Sequence, residues 1–90
     1  MHQAHLIISG RVQGVFYRAT CEEVAKSYGL KGWVRNLPTG EVEVLAQGEK
    51  NKIEELISWC KKGPSGANVS TVKVEWSEVK EIFNSFSVRL

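Results

Sequence analysis

The stretch Leu6-Ile7-Ile8-Ser9-Gly10-Arg11-Val12-Gln13-Gly14-Val15-Phe16-Tyr17-Arg18 passes from one local pattern into another. Leu6 to Val12 is rich in Leu, Ile and Val and reads as a strand. Gly10 and Gly14 mark a turn whose backbone angles other residues avoid. From about Tyr17 to Tyr28 the period becomes helical. Cys21, Val24, Ala25 and Tyr28 fall at i, i+3, i+4 and i+7, with Glu22, Glu23 and Lys26 on the other face. Gly29 stands where a helix-terminating residue belongs.

Downstream, the strand and helix patterns recur. Gly32 to Leu37 reads as a second strand, Pro38-Thr39-Gly40 as a turn, and Glu41 to Gln47 as a half-buried third strand, which together predict a hairpin. A second helix is expected from about Asn51 to Lys62, where Ile53, Leu56, Ile57 and Cys60 repeat the apolar spacing. Lys61 and Lys62 suit its carboxyl end, Gly63 caps it, and Pro64 prevents its continuation into a loop ending near Asn68. Val72, Val74 and Trp76 alternate with Lys73 and Glu75 as a fourth strand, and Phe86, Val88 and Leu90 form a short fifth. The order is β-α-β-β-α-β plus a short terminal strand. Each helix has one apolar stripe and each strand one apolar face. The economical solution is an α+β, ferredoxin-like sandwich with two helices on one face of an antiparallel sheet.

Ninety residues allow one domain, taken as 1–90. A chain that is 42% hydrophobic and 24% charged is ordinary globular material, which removes disordered and low-complexity readings. A net charge of +2 is too mild for neutralising a run of nucleic-acid phosphates. The longest aliphatic run is Leu6-Ile7-Ile8, so no membrane span is expected. The start, Met1-His2-Gln3-Ala4-His5, lacks the charged-then-apolar pattern of a signal peptide, so the expected compartment is cytoplasmic. Cys21 and Cys60 lie on apolar helix positions and read as buried reduced thiols; no Cys-x-x-Cys or His/Cys cluster suggests zinc.

The chain has no aspartate, and its histidines, His2 and His5, lie before or at the first strand, where they flank rather than catalyse. No Gly-x-Ser-x-Gly, Walker or His-Glu-x-x-His motif occurs. Any catalysis must work by binding and positioning. The loop from Val12 to Arg18 is the place to look for it. Amides at a strand–helix junction can converge as an anion nest, helped by the positive helix end. Arg18 opposes the helix dipole there, a cost that an anion between the two would offset. Its planar fork matches phosphate or carboxylate. Asn36, at the end of the second strand, reads either as a turn asparagine bonding its own backbone or as an amide that orients a water. Trp33, Trp76 and Phe86 read as core or core-edge, Trp59 as half-exposed packing, and Lys50, Lys52, Lys61 and Lys62 as a solvated helix face.

Together, Gly10-x-Val12-Gln13-Gly14-Val15-x-Tyr17-Arg18 and Gly32-Trp33-Val34-Arg35-Asn36, followed at the same spacing by Gly40, Val42 and Gly48, resemble the acylphosphatase family. Both match its signature patterns without a gap, and element order and length agree across the chain. The departures are Tyr17, where phenylalanine is common, and the stretch from Trp76 to Asn84. The resemblance implies hydrolysis of the carboxyl–phosphate anhydride of acyl phosphates. It implies that loop residues Val12, Gln13, Gly14, Val15, Phe16 and Tyr17, through their amides, and Arg18, through its side chain, bind phosphate. It gives Asn36 the role of positioning the attacking water. It implies no metal and no cofactor, and a small acyl phosphate as partner; the oligomeric state stays open, with a monomer as the default expectation. The alternative within the same fold is a non-catalytic phosphate-binding or regulatory domain. An RNA-binding module shares the element order but needs aromatics on the third strand; Gly40-Glu41-Val42-Glu43-Val44 has none and carries two glutamates.

Overall fold

Alternation along β1 (His2–Arg11) sends Ala4, Leu6 and Ile8 to one side of the sheet, where all three are fully buried in the computed structural model, which describes residues 1–90. β1 begins earlier than its aliphatic run because His2 to Ala4 pair with Gly48 to Ala46, and backbone pairing is indifferent to polar side chains on the outer face. After it come α1 (Tyr17–Ser27), β2 (Lys31–Asn36), β3 (Val42–Gly48), α2 (Lys50–Lys62), β4 (Asn68–Ser77) and β5 (Phe86–Arg89). The sheet order is β4-β1-β3-β2-β5.

Both helices cover one face. Cys21 and Ala25 of α1 and Ile53, Leu56 and Cys60 of α2 are fully buried against Leu6, Val34, Val42 and Val44. Each such aliphatic side chain contributes roughly 1.5–3 kcal/mol by leaving water. Four strands are antiparallel, as expected, but β5 runs parallel to β2, so the sheet is mixed. The connection explains this. β4 and β5 occupy opposite edges, so residues 78–85 must cross the sheet, and a chain that crosses in this way enters alongside β2 in the same direction. The crossing uses the helix-free face. There the fully buried Gln47 donates to Gln3 Oε1 (2.8 Å) and the Glu81 carbonyl (2.6 Å) and accepts from the Phe83 amide (3.1 Å).

Two further details refine the pattern-based expectation. β4 is longer than Val72–Trp76 because it pairs along β1 as far as Asn68–Arg11, past a bulge at Ser9/Gly10. At that bulge Gly10 has φ 120°, and a Cβ would lie 2.2 Å from the Asn68 carbonyl oxygen, so only glycine lets the strands approach. Of the two positions expected for Trp76, core or core-edge, the structure shows the outer one: the residue is 40% exposed on the edge strand β4, with Lys50 of α2 lying 5.4 Å over its ring. Trp33 and Phe86 are buried, and Trp59 is half-buried. No helix is long and apolar enough to cross a membrane.

Candidate active site

The loop between β1 and α1 is pinned at both ends. Val12 and Tyr17 are each 1% exposed. Tyr17 packs its ring against Trp59, with centroids 5.1 Å apart, and its hydroxyl donates to the Cys60 carbonyl at 2.7 Å. That bond satisfies a carbonyl at the end of α2 and accounts for a tyrosine at a position where phenylalanine would pack equally well. Burial, reinforced by the neighbouring Cys60, holds the Tyr17 phenol far above its ordinary pKa, so it remains a donor.

Between these pins the backbone takes a rare path. Gly14 has φ 76°, and Phe16, the residue before the helix, has φ 63° and ψ 24°. Residues of opposite handedness in succession turn their N–H groups toward one concavity. The amides of residues 13–16 donate to no backbone carbonyl, and no side chain caps α1. The loop is therefore a set of free donors at the positive end of a helix. Around the Cβ position of Gly14 there is open space for 4 Å, so the glycine is required for its dihedral angle rather than for close packing. Gln13 turns the other way: its side-chain amide donates to the carbonyls of Leu37 (2.8 Å) and Glu41 (2.9 Å), which ties the loop to the turn after Asn36.

Asn36 closes the opposite side. It pairs with Val42 in the row whose side chains face the helices, and its Oδ1 is buried without a hydrogen-bond partner. An orphaned buried acceptor costs about 1–3 kcal/mol, which favours a ligand or water as its partner over a structural role. The bond to its own backbone expected of a turn asparagine is absent. Asn36, Gly14, Phe16 and Arg18 line one cleft of about 310 Å³, with Val12 and Tyr17 also in its lining. Arg18 is half-buried and has no carboxylate within ion-pairing distance.

The cleft unites most of the expected residues but not all. Gln13 and Val15 do not line it; Val15 packs against the core. Ala19 and Val88 do line it and carried no sequence signal: Val88 comes from the terminal strand, and only the β2–β5 pairing brings it alongside. Cys21 and Cys60 are free and buried elsewhere. A hydrogen bond with Cys60, followed by burial, pushes the Cys21 thiol up and keeps it protonated, which removes it as a nucleophile. His5 faces away from the cleft and bonds Glu43 at 2.6 Å.

Residues 4–88 match the family model for acylphosphatase. The chain is 45% identical over 87 residues to an acylphosphatase from Anaeromyxobacter sp. (strain Fw109-5), covering 97% of this chain and 94% of that one. Among solved structures, acylphosphatase from Bacillus subtilis superposes with a TM-score of 0.97 at 34% identity, covering 100% of both chains. An acylphosphatase from Coxiella burnetii gives 0.94 at 42% identity, covering 98% of this chain and 92% of that one.

Proposed function

This chain belongs to the acylphosphatase family and is a hydrolase of acyl phosphates, and from that membership we propose how its cleft divides the work. The free amides of the 12–17 loop and the Arg18 fork hold the phosphate group. Asn36 orients a water in line with the bond to the acyl oxygen. The water oxygen bonds to phosphorus, the bond from phosphorus to the acyl oxygen breaks, and the carboxylate leaves with the electron pair. The water's proton passes to a phosphate oxygen, so the products are a carboxylate and inorganic phosphate. No protein base is needed, which suits a cleft without a carboxylate or histidine.

Phosphoryl transfer leaves the protein little covalent work; catalysis is positioning and charge stabilisation. Amides fixed in place cost no reorganisation as negative charge grows on the phosphate oxygens. Arg18 matches two of those oxygens at once, whereas a lysine would supply a point charge. The observation that carries the reading is the pairing of opposites in one cleft: unsatisfied donors on the loop and an unsatisfied buried acceptor, Asn36 Oδ1, across from them. The reading includes turnover without a metal, since Arg18 and the helix end supply the positive charge. It also includes a monomer. Two buried free thiols suit a reducing compartment, and we assign the protein to the cytoplasm.

The test is loss of the anhydride of benzoyl phosphate in excess EDTA, with wild type, Arg18→Ala and Asn36→Ala side by side. Rapid turnover by the wild type alone is the expected result. A folded protein that binds inorganic phosphate but does not turn over would instead be the non-catalytic binding domain.

A further inference from the structure

Phe16 is the least economical residue in the cleft. The residue is 83% exposed, so core packing does not compensate for its presence. Its backbone is left-handed, a conformation in which glycine or asparagine is far less strained than a bulky aromatic residue. The anion nest requires only the dihedral angle at this position. The ring serves some other purpose, and strain held beside a binding site is a pointer to function.

The shape of the cleft says what that purpose is. At roughly 30 Å³ per water, its volume of about 310 Å³ exceeds what a phosphate group alone would displace. The polar lining consists of the loop amides, Arg18 and Asn36. The remaining wall is apolar, made by Phe16, Ala19 and Val88 from the loop, the first helix and the terminal strand. Beyond Arg18 and Asn36, which the phosphate and water occupy, that wall offers no side-chain donor or acceptor to a polar acyl group.

We propose that Phe16, Ala19 and Val88 form an acyl-binding subsite that selects acyl phosphates with an apolar acyl group about the size of a ring, laid against the exposed Phe16 face. The inference rests on the hydrolytic reading above and adds the substrate class to it. A flat apolar group would cover the Phe16 ring and remove both surfaces from water, which a methyl group does only in small part. Small acyl phosphates would still be held by their phosphate, but without this added affinity.

Binding of two non-hydrolysable ligands, benzylphosphonate and methylphosphonate, measured by calorimetry, tests the subsite separately from the chemistry. The two share the phosphate-like half, so their ratio of dissociation constants cancels any change in the loop. The wild type should prefer benzylphosphonate by about tenfold or more. Phe16→Asn, which keeps a residue tolerant of the left-handed backbone, should remove most of that preference, and Val88→Thr, which keeps the shape but makes the wall polar, should reduce it about threefold. The same ranking should appear in KM for benzoyl against acetyl phosphate. Equal binding of the two phosphonates by the wild type, or a ratio that stays within about twofold in Phe16→Asn, overturns the subsite whatever the turnover. A preserved binding preference with no hydrolysis of either acyl phosphate supports the subsite and overturns the hydrolytic reading instead.

Discussion

The cleft and the helix-free face of the sheet contain similar chemical groups, used in opposite ways. On the outer face Glu43, Glu41 and Gln47 find their partners within the chain. Glu43 accepts from His5 and Arg35; Glu41 accepts from Ser9 and Thr39, each at 2.9 Å; Gln47 makes three bonds while fully buried. In the cleft, Arg18 has no carboxylate, Asn36 Oδ1 has no donor, and the loop amides have no acceptor. The difference separates structure from function. Saturated groups hold the fold together, and unsaturated ones are left for a ligand. It also reassigns the residue a chemist would suspect first: the histidine nearest a carboxylate, His5, belongs to the saturated side.

Arg18 should give the widest split between the two properties. Arg18→Ala should lower kcat/KM by roughly 10³–10⁵, the scale on which a phosphate-clamping arginine acts. The urea midpoint should stay within about 0.5 kcal/mol of wild type, since no internal ion pair is lost. Arg18→Lys should remain severely impaired because the fork is gone. Activity assays paired with denaturation decide it; a large loss of stability in Arg18→Ala would break the division drawn above. Asn36→Ala comes next. Its kcat should fall by roughly 10²–10³, with KM changed less, as for loss of one preorganised group that positions the water. Its stability should hold or rise, because the substitution removes a buried acceptor that has no partner.

Gln47→Ala should do the reverse. It strands the Phe83 amide and the Glu81 carbonyl beneath the crossing segment, and should cost about 2–3 kcal/mol in urea or thermal unfolding. Its kcat/KM for an acyl phosphate should match wild type once the protein is folded. A drop in kcat at unchanged stability would mean that the crossing segment is coupled to the cleft, and the two regions would no longer be separable.

Much of this division was legible in the sequence, for identifiable reasons. Helix stripes such as Ile53, Leu56, Ile57 and Cys60 have one solution, and glycines at turns mark where elements stop. The loop stood out because Arg18 opposes the helix dipole beside two turn glycines, whereas Asn36, an ordinary residue before a turn, gained its role only from the family resemblance. What could not be read depends on contacts between distant segments. The parallel entry of β5 follows from the sheet's edges, not from Phe86 to Arg89 themselves. Val88 joins the cleft only through that entry. Trp76 fits the alternation of its strand, yet alternation does not reveal which residues of an edge strand a helix leaves exposed. The sequence marked Phe16 for its amide but not for its ring, because left-handed backbone leaves no trace in residue identity when the residue is not glycine.

Glu43 gives the smallest effect and the clearest sign. Burial alone would raise its carboxyl pKa, but the hydrogen bonds from His5 and Arg35, with their charges, outweigh it, and the net shift is downward. A carboxylate whose folded pKa lies below its unfolded value stabilises the fold fully above the unfolded value of about 4.3. That stabilisation is lost as pH falls through the folded pKa. Glu43→Gln should therefore be less stable than wild type at about pH 7 by no more than roughly 1 kcal/mol, because the Arg35 partner is exposed and screened. The gap should narrow below about pH 4 as the wild-type carboxylate is protonated. Glu41 is also held low, first by its bond from Ser9 and then by Thr39, so some acid sensitivity remains in the variant. Thermal midpoints of the two proteins between about pH 3 and pH 7 measure the gap directly. A constant gap would mean that Glu43 acts through shape rather than charge. A gap that closes, with kcat/KM unchanged at neutral pH, would confirm that the charges of the outer face serve only the fold.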